Sequence, residues 1–447
     1  MSEREAVFHL FYRTPPFQHG YVLAAGLELV MDFLDEFHVD QDDVRYLGRL
    51  TGSDGTPLFD LGFLNYLQRS HFSCDLDAVP EGTPVFPHQP ILRIRGPLVQ
   101  ATLIESALLN LINFSSLIAT KASRIVRAAQ GDPVLEFGLR RAQGPDGALT
   151  ASRAAYIGGC HATSNLLAGK WYDIPARGTH AHSWVMCFDT EMEAFAAYAE
   201  SLPNNCILLV DTYDTIAGVR KAIQVGQDLQ RRGYTLNGIR LDSGDMVALA
   251  KEARRLLDKA GLTDTSIVGS DSMDEEKIKQ LKANGAPIDT WGVGTRLVTG
   301  QDDPALGGVY KLGALQRTTG EWEHKIKLSE EAIKTSNPGI LDVRRYVNAD
   351  GLPVGDAIFD TLLDASDELV PFSSERASIA LGDYAHYTLL QPVFRRGKRL
   401  YPSPSLSDIR TFSLQQQALF NQLNAHAYPN GLERTLFQHK QQLIQDT

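Results

Sequence analysis

From Asp132 onward the sequence alternates short apolar runs with longer amphipathic ones, and that rhythm limits the folds open to it. The apolar runs are Val134–Phe137, Ala154–Ile157, Ile174–Arg177, Cys206–Val210, Gly238–Leu241, Ser266–Val268, Ile288–Trp291 and Val309–Leu312. Helical patterns separate many of them, at Glu191–Ser201, Ile216–Arg232, Met246–Ala260 and Asp274–Asn284. Short buried strands alternating with helices build parallel β/α units. Up to eight such strands, with no dinucleotide-type Gly-x-Gly-x-x-Gly, favour a closed or nearly closed barrel over a doubly wound sheet. The expected fold class is α/β, an irregular TIM-like β/α barrel over residues 131–340 with a smaller N-terminal α+β domain.

That N-terminal domain, residues 1–130, reads as a strand at Glu5–Tyr12 followed by helical patterns at Gly20–Phe37 and Asp60–Arg69. Antiparallel strands are expected within Gly82–Pro97, bounded by Pro and Gly, before a long helical connection at Leu98–Gln130. Thr318–Pro338 reads as an irregular, lysine-bearing insertion. In the C-terminal region, residues 341–447, Arg344–Pro371 is mixed and Tyr387–Tyr401 has strand character around a turn at Arg395–Lys398. Leu406–Leu443 is largely helical, broken at Pro429-Asn430-Gly431, and is expected to pack back on the N-terminal domain.

A formal net charge of −11 argues against a nucleic-acid binder. Anions can still be held, but only by local groups of Arg, Lys and backbone N–H. The four cysteines form no Cys-x-x-Cys pair, which fits a reducing compartment with no disulfide framework and no zinc ribbon. The first residues lack an apolar signal core, and no apolar run is long enough to span a bilayer, so a soluble cytoplasmic protein is expected.

Barrels of this kind carry their active sites at the carboxyl ends of the strands. The residues that follow successive strands here are strongly polar: Gly138-Leu139-Arg140-Arg141, Gly158-Gly159-Cys160-His161 running to Asn165, Gly178-Thr179-His180-Ala181-His182-Ser183, Asp211-Thr212-Tyr213-Asp214, Arg240 to Asp245, Gly269-Ser270-Asp271-Ser272, and Gly292-Val293-Gly294-Thr295. Within Gly238–Asp245, Arg240 and Asp242 are two apart and share a strand face. A cation beside an anion at a strand end is costly to desolvate without a partner or a task. Ser243-Gly244 then opens a helix, where free N–H groups favour an anion such as a sugar phosphate. The ordinary alternative is a salt-bridged strand end with a cap.

Each of the other clusters has a similarly ordinary reading. Ser272 with Glu275 fits a capping box. Gly292 and Gly294 suit a tight turn, although with Gly269-Ser270 they fall on the last strands, where barrels hold phosphate. His180 and His182 share a face, but no third ligand stands at metal spacing, so zinc is disfavoured. Asp211 and Asp214 suit a helix start, or Asp211 orients a catalytic imidazole. Neither a Gly-x-Ser-x-Gly elbow nor a Walker-type loop is present, which lowers serine hydrolase and P-loop readings.

Five of these stretches closely resemble the nicotinate phosphoribosyltransferase family: Glu136-Phe-Gly-Leu-Arg-Arg-Ala-Gln143, Gly178-Thr-His-Ala-His-Ser183, Val210-Asp-Thr-Tyr-Asp214, Arg240-Leu-Asp-Ser-Gly-Asp245 and Trp291-Gly-Val-Gly-Thr295. The resemblance runs in order from about Ala6 to about Gly339 and is looser beyond. It implies a type II phosphoribosyltransferase barrel that joins nicotinate to phosphoribosyl pyrophosphate, giving nicotinate mononucleotide and diphosphate, with coupled ATP hydrolysis and Mg2+.

The resemblance also implies roles. His182 would be the histidine phosphorylated by ATP, held by Asp211, and Ser183 beside it would bind substrate. Arg240 would lie near the pyridine carboxylate and the diphosphate. Asp242, Ser243 and Gly244 would hold the ribose hydroxyls and the Mg2+-bound diphosphate. Phe137 would stack on the pyridine and Arg140 would contact phosphate. Gly269, Ser270, Gly294 and Thr295 would cradle the 5′-phosphate. Arg13, Lys311, Lys327 and Lys334 resemble the family's phosphate contacts, some crossing the interface of a homodimer with shared sites.

Asn165 stands where the related nicotinamide enzymes carry an aspartate. An asparagine can donate to a carboxylate and an aspartate would repel it, which favours nicotinate over nicotinamide. A helix cap is the ordinary reading of Asn165. The family also carries a Thr-Asp-x-Tyr segment upstream of the strand at Ala6–Tyr12, and the sequence begins downstream of it. The barrel motifs predict a chain that folds regardless. The competing expectations are a nicotinamide or quinolinate enzyme, a catalytically impaired homologue, and an unrelated barrel aldolase or isomerase, for which no Schiff-base lysine or metal triad is evident.

Overall fold

The computed structural model describes residues 4–372, 377–423 and 425–446. The chain forms two compact units. One comprises Leu117–Ala305 with Leu406–Leu414, and the other Met1–Ser116, Leu306–Ser405 and Gln415–Thr447.

The unit that begins at Leu117 is built on six parallel strands: β1 (Val134–Glu136), β2 (Ala162–Thr163), β3 (Ile207–Leu209), β4 (Gly238–Leu241), β5 (Ser266–Gly269) and β6 (Thr290–Val293). Their order across the sheet is β2-β1-β6-β5-β4-β3. The strands are almost continuously apolar because both faces are covered. Leu208, Leu209, Ile239, Leu241, Ile267, Val268, Trp291 and Val293 are all buried. Helices Thr215–Arg231, Met246–Lys259 and Glu275–Ala283 supply crossovers and turn apolar stripes to the sheet. Each starts on an aspartate cap: Asp214, Asp245 and Asp274 accept backbone N–H groups of the first turn.

The sheet is a half-barrel, and the strand pattern explains the departure from eight strands. Ala154–Ile157, expected as a strand, is the last turn of helix Gly144–Ile157. Residues 148, 149 and 151–157 of that helix are all buried, and a helix buried all round shows no polar stripe to give away its period. Ile174–Arg177 contributes only a parallel bridge between Ala176 and Thr163. Val309–Leu312 lies in an antiparallel strand of the other unit. Ser272 does not cap its helix, since Asp274 does. Ser272 instead has φ of +51° in the loop after β5.

In the other unit a seven-stranded sheet pairs Glu5–Tyr12 antiparallel with both Gly308–Gln316 and Leu92–Pro97. This long-range pairing gathers residues before 117 and residues 306–405 into one compact unit. A second sheet, six-stranded, contains Leu341–Val347, Pro353–Asp360 and Asn430–Glu433. Its Arg345 and Asp356 are fully buried as an ion pair at 2.7 Å, joined by Gln89 and Tyr428. Gly20–Phe37 is helical only over Leu27–Asp35, after a short strand at Val22–Leu23. The hairpin Gln391–Arg395/Lys398–Arg399 and the C-terminal helices Leu406–Asn421 and Arg434–Gln445 follow the expected pattern, Asn424 lying outside the described residues.

Gly218 shows how tightly helix and sheet meet. A Cβ there would lie 2.1 Å from the Val210 carbonyl oxygen. Backbone cannot yield as a flexible side chain can, so Gly218→Ala is expected to destabilise this unit by about 2 kcal/mol or more in chemical denaturation. A change within ~0.5 kcal/mol would contradict that packing.

Candidate active site

The carboxyl ends of the half-barrel strands converge on a cleft of about 260 Å³ lined by Phe137, Arg140, Thr179, His180, His182, Arg240 and Asp242, among others. Arg240 is its centre. Nε donates to Ser270 Oγ at 2.9 Å, Nη1 to Thr179 Oγ1 at 2.7 Å and Nη2 to Asp242 Oδ1 at 3.0 Å. Ser270 Oγ in turn donates to Asp242 Oδ1 at 2.5 Å. Burial opposes the charge on Asp242, but the Arg240 guanidinium and the Ser270 hydroxyl outweigh it and hold the carboxyl below its usual value.

Phe137 forms the other wall. The Arg240 guanidinium carbon is 5.9 Å from its ring centroid. The ring rests on Gly292, where a Cβ would lie 2.9 Å from two ring carbons. The turn that carries Phe137 is pinned by buried Glu136, which accepts from the Gly138 N–H, from Ser152 Oγ at 2.8 Å and from Thr163 Oγ1 at 2.6 Å. An acid inside an apolar strand was the signal for this role, and Glu136 appears in the sequence only as part of a motif.

His182 opens the short helix His182–Met186. Its Nδ1 lies 3.1 Å from Thr212 Oγ1 and its Nε2 lies 3.6 Å from Asp242 Oδ2. Asp211, expected to hold this imidazole, is engaged elsewhere. Its Oδ2 accepts from the Asp242 N–H at 2.8 Å and from Ser243 Oγ at 2.7 Å. Asp211 therefore ties the β3 loop to the β4 loop.

His180 also departs from the metal-pair reading. Its Nε2 accepts the Leu209 N–H at 3.1 Å, and its Nδ1 lies 3.3 Å from the Ala181 carbonyl. A neutral imidazole satisfies both contacts. Among the described residues no group of three or more His, Cys, Asp or Glu is arranged to hold a metal ion.

The remaining expected residues divide. Ser243 and Gly244 are exposed in the turn after β4, but the N–H groups of Val247 and Ala248 in the helix that follows are taken by the Asp245 carboxylate and are not free for an anion. Gly269 ends β5 and Ser270 follows it directly, while Gly294 and Thr295 start a short helix after β6. Arg140 is exposed on the cleft rim, and Ser183 is exposed beside His182 without lining the cleft. Asn165 is only 2% exposed, with Oδ1 accepting the Ala168 N–H and Nδ2 directed to Ser152 Oγ and the Ala148 carbonyl. It is a cap and does not line the cleft.

Arg13, Lys311, Lys327 and Lys334 belong to the other unit. There Arg13 Nε is buried without a partner among the described residues, and Lys334 pairs with Glu331 at 2.5 Å. Lys311 sits in the strand Gly308–Gln316, and the backbone N–H of Lys327 donates to Ser336 Oγ.

A parallel half-barrel whose strand ends gather an arginine, carboxylates, hydroxyls and a histidine defines an α/β protein with an anion-handling cleft. Comparison with known proteins makes this specific. Three family descriptions match in sequence order: the nicotinate phosphoribosyltransferase N-terminal domain over residues 1–113, the nicotinate phosphoribosyltransferase family over 133–335 and its C-terminal domain over 342–440. The chain belongs to the nicotinate phosphoribosyltransferase family. It is 40% identical to the nicotinate phosphoribosyltransferase of Bacillus subtilis across 100% of this chain and 91% of that one. The human enzyme of the same name is 32% identical over 91% of this chain and 85% of its own length. The crystal structure of human nicotinic acid phosphoribosyltransferase superposes with a TM-score of 0.85, covering 99% of this chain and 96% of that one at 28% identity.

Two outcomes follow. Burial pushes the His180 imidazole down to about 4 from an ordinary 6.5. The unfolded chain then binds the extra proton first, so stability is full above pH 6.5 and falls as pH drops toward 4. His180→Gln keeps an acceptor for Leu209 and is expected to flatten this part of the melting temperature–pH curve; an unchanged slope would assign the loss to other groups. Asn165→Ala should cost about 1 kcal/mol of stability as a lost cap without altering preference between pyridine substrates. A switch in that preference would return Asn165 to the cleft.

Proposed function

We propose that this protein is a nicotinate phosphoribosyltransferase of NAD biosynthesis, making nicotinate mononucleotide and diphosphate from nicotinate and phosphoribosyl pyrophosphate. ATP hydrolysis is coupled through a phosphohistidine at His182. The protein acts in the cytoplasm as a homodimer whose half-barrels are irregular TIM-like barrels of the type II phosphoribosyltransferases. Among the described residues no helix is long and apolar enough to cross a membrane. The observation that carries the reading is the Arg240–Asp242–Ser270 constellation with His182 3.6 Å from Asp242, inside a cleft walled by Phe137.

The chemistry fits these residues. Departure of diphosphate leaves oxocarbenium-like charge on the sugar, and negative charge grows on the leaving oxygens. A fixed guanidinium such as Arg240 stabilises that growth with little reorganisation. The Phe137 ring offers a face to a flat pyridine, whose own nitrogen lone pair attacks without a general base. Asp242, ionised at neutral pH, is an acceptor for ribose hydroxyls. Ser270, Gly269, Gly294 and Thr295 would cradle the 5′-phosphate, and Arg13, Lys311, Lys327 and Lys334 would contact phosphate, some of them from the neighbouring subunit. Mg2+ carried on the diphosphate would neutralise charge there, with the hard oxygens of Asp242 and of Asp211, whose Oδ1 has no hydrogen-bond partner among the described residues, as fitting donors.

The test is product formation from nicotinate and phosphoribosyl pyrophosphate with Mg2+, with and without ATP, alongside nicotinamide. Selective formation of nicotinate mononucleotide, stimulated by ATP, is expected. His182→Ala should lose the stimulation, and Arg240→Lys, which cannot reproduce three directed donors, should lower kcat/KM by about 100-fold. A folded protein that makes no product from either pyridine would overturn the assignment.

A further inference from the structure

Resting on the phosphohistidine reading above, we propose that Thr212 is the positioning residue for His182, its hydroxyl fixing the imidazole for phosphoryl transfer. His182 is the first residue of a short helix whose cap, Ala181, offers no side-chain bond. The orientation of the ring is therefore set by what the ring touches. Thr212 Oγ1 is at hydrogen-bond distance, 3.1 Å from Nδ1, whereas the Asp242 carboxylate stands off Nε2 at 3.6 Å.

The four residues Asp211-Thr212-Tyr213-Asp214 divide their duties. Asp211 grips the Asp242–Ser243 turn. Asp214 caps the next helix by accepting the Ala217 N–H at 2.7 Å. Tyr213 points outward and is 65% exposed. The Val210 N–H just upstream donates to the Arg240 carbonyl at 3.2 Å. Thr212 is thus held from both sides, with its hydroxyl directed at the imidazole.

A hydroxyl suits this task better than a carboxylate. It donates to a bare ring nitrogen and accepts from a protonated one, so it holds the ring in either state. A carboxylate only accepts, and it would favour the cationic ring over the neutral nucleophile. Asp242 and His180 interact electrostatically with the ring, and Arg240 and Asp211 join this network through Asp242.

The experiment follows labelling of the full-length protein by γ-labelled ATP in single turnover. Thr212→Val is expected to slow phosphoenzyme formation by about 10- to 100-fold while the ATP concentration for half-maximal rate stays within about twofold, the pattern of lost orientation rather than lost binding. Thr212→Ser should restore the rate, which a purely structural role for the methyl group would not allow. If Thr212→Val melts early, Thr212→Ala carries the same comparison. A wild-type rate in Thr212→Val, or no recovery in Thr212→Ser, overturns the proposal alone. Wild-type protein that takes no label, or His182→Ala that still takes it, overturns the phosphohistidine reading and this one with it.

Discussion

One desolvated cation organises the carboxyl face of the half-barrel. The Arg240 side chain is 15% exposed, and a guanidinium at that depth must be paired or it would unfold its surroundings. Its three partnered nitrogens reach Ser270 beyond β5, Thr179 on the loop that precedes His180, and Asp242 just past the end of its own strand. Three separate segments are thereby fixed by one side chain. Asp211 extends the lattice by taking the Asp242 N–H and the Ser243 hydroxyl. The cleft is preorganised because its polar groups satisfy one another, which is the condition for electrostatic stabilisation without reorganisation.

The same logic explains how an open sheet is finished. A parallel sheet that stops short of closure leaves unpaired N–H groups along its last strand. At β3 one of these, the Leu209 N–H, is capped by the His180 imidazole instead of by another strand. A side chain here does the work of a ladder bond, and it does so only while neutral. Histidine is the side chain whose ordinary titration lies nearest neutrality, so the finish of the sheet edge is tied to proton concentration.

Local pattern was enough for most of the strands of the half-barrel, for the crossover helices and for the residues that meet at the cleft. What it could not supply was partnership. Val309–Leu312 has strand character but pairs with Glu5–Tyr12, some 300 residues away, and no local period encodes a partner at that distance. Ala154–Ile157 is apolar enough for a strand because its helix is buried on every side. At the site, residue types were legible and their assignments were not. Asp211 and Thr212 are adjacent, and a one-residue change decides which reaches His182. Asn165 invites a substrate argument from its residue type, and the structure shows it as a buried cap. Glu136 was passed over because a carboxylate in a strand announces its importance only when its three donors are visible.

The sign of the whole chain and the sign of the cleft point in opposite directions, and distance resolves the conflict. A net charge of −11 would repel an anionic substrate if it acted undiminished. Exposed charges are largely screened beyond about 8 Å at physiological salt, whereas Arg240, its side chain 15% exposed, acts at contact. Asp242 stands beside it at 3.0 Å as a carboxylate. Held below its usual protonation range, it keeps its charge at neutral pH. Its second oxygen remains on the His182 side as an acceptor. On the reading proposed above, the pair offers a cation to phosphate and an anion to hydroxyls from positions two residues apart at the end of β4, which is the polarity that a phosphorylated sugar requires.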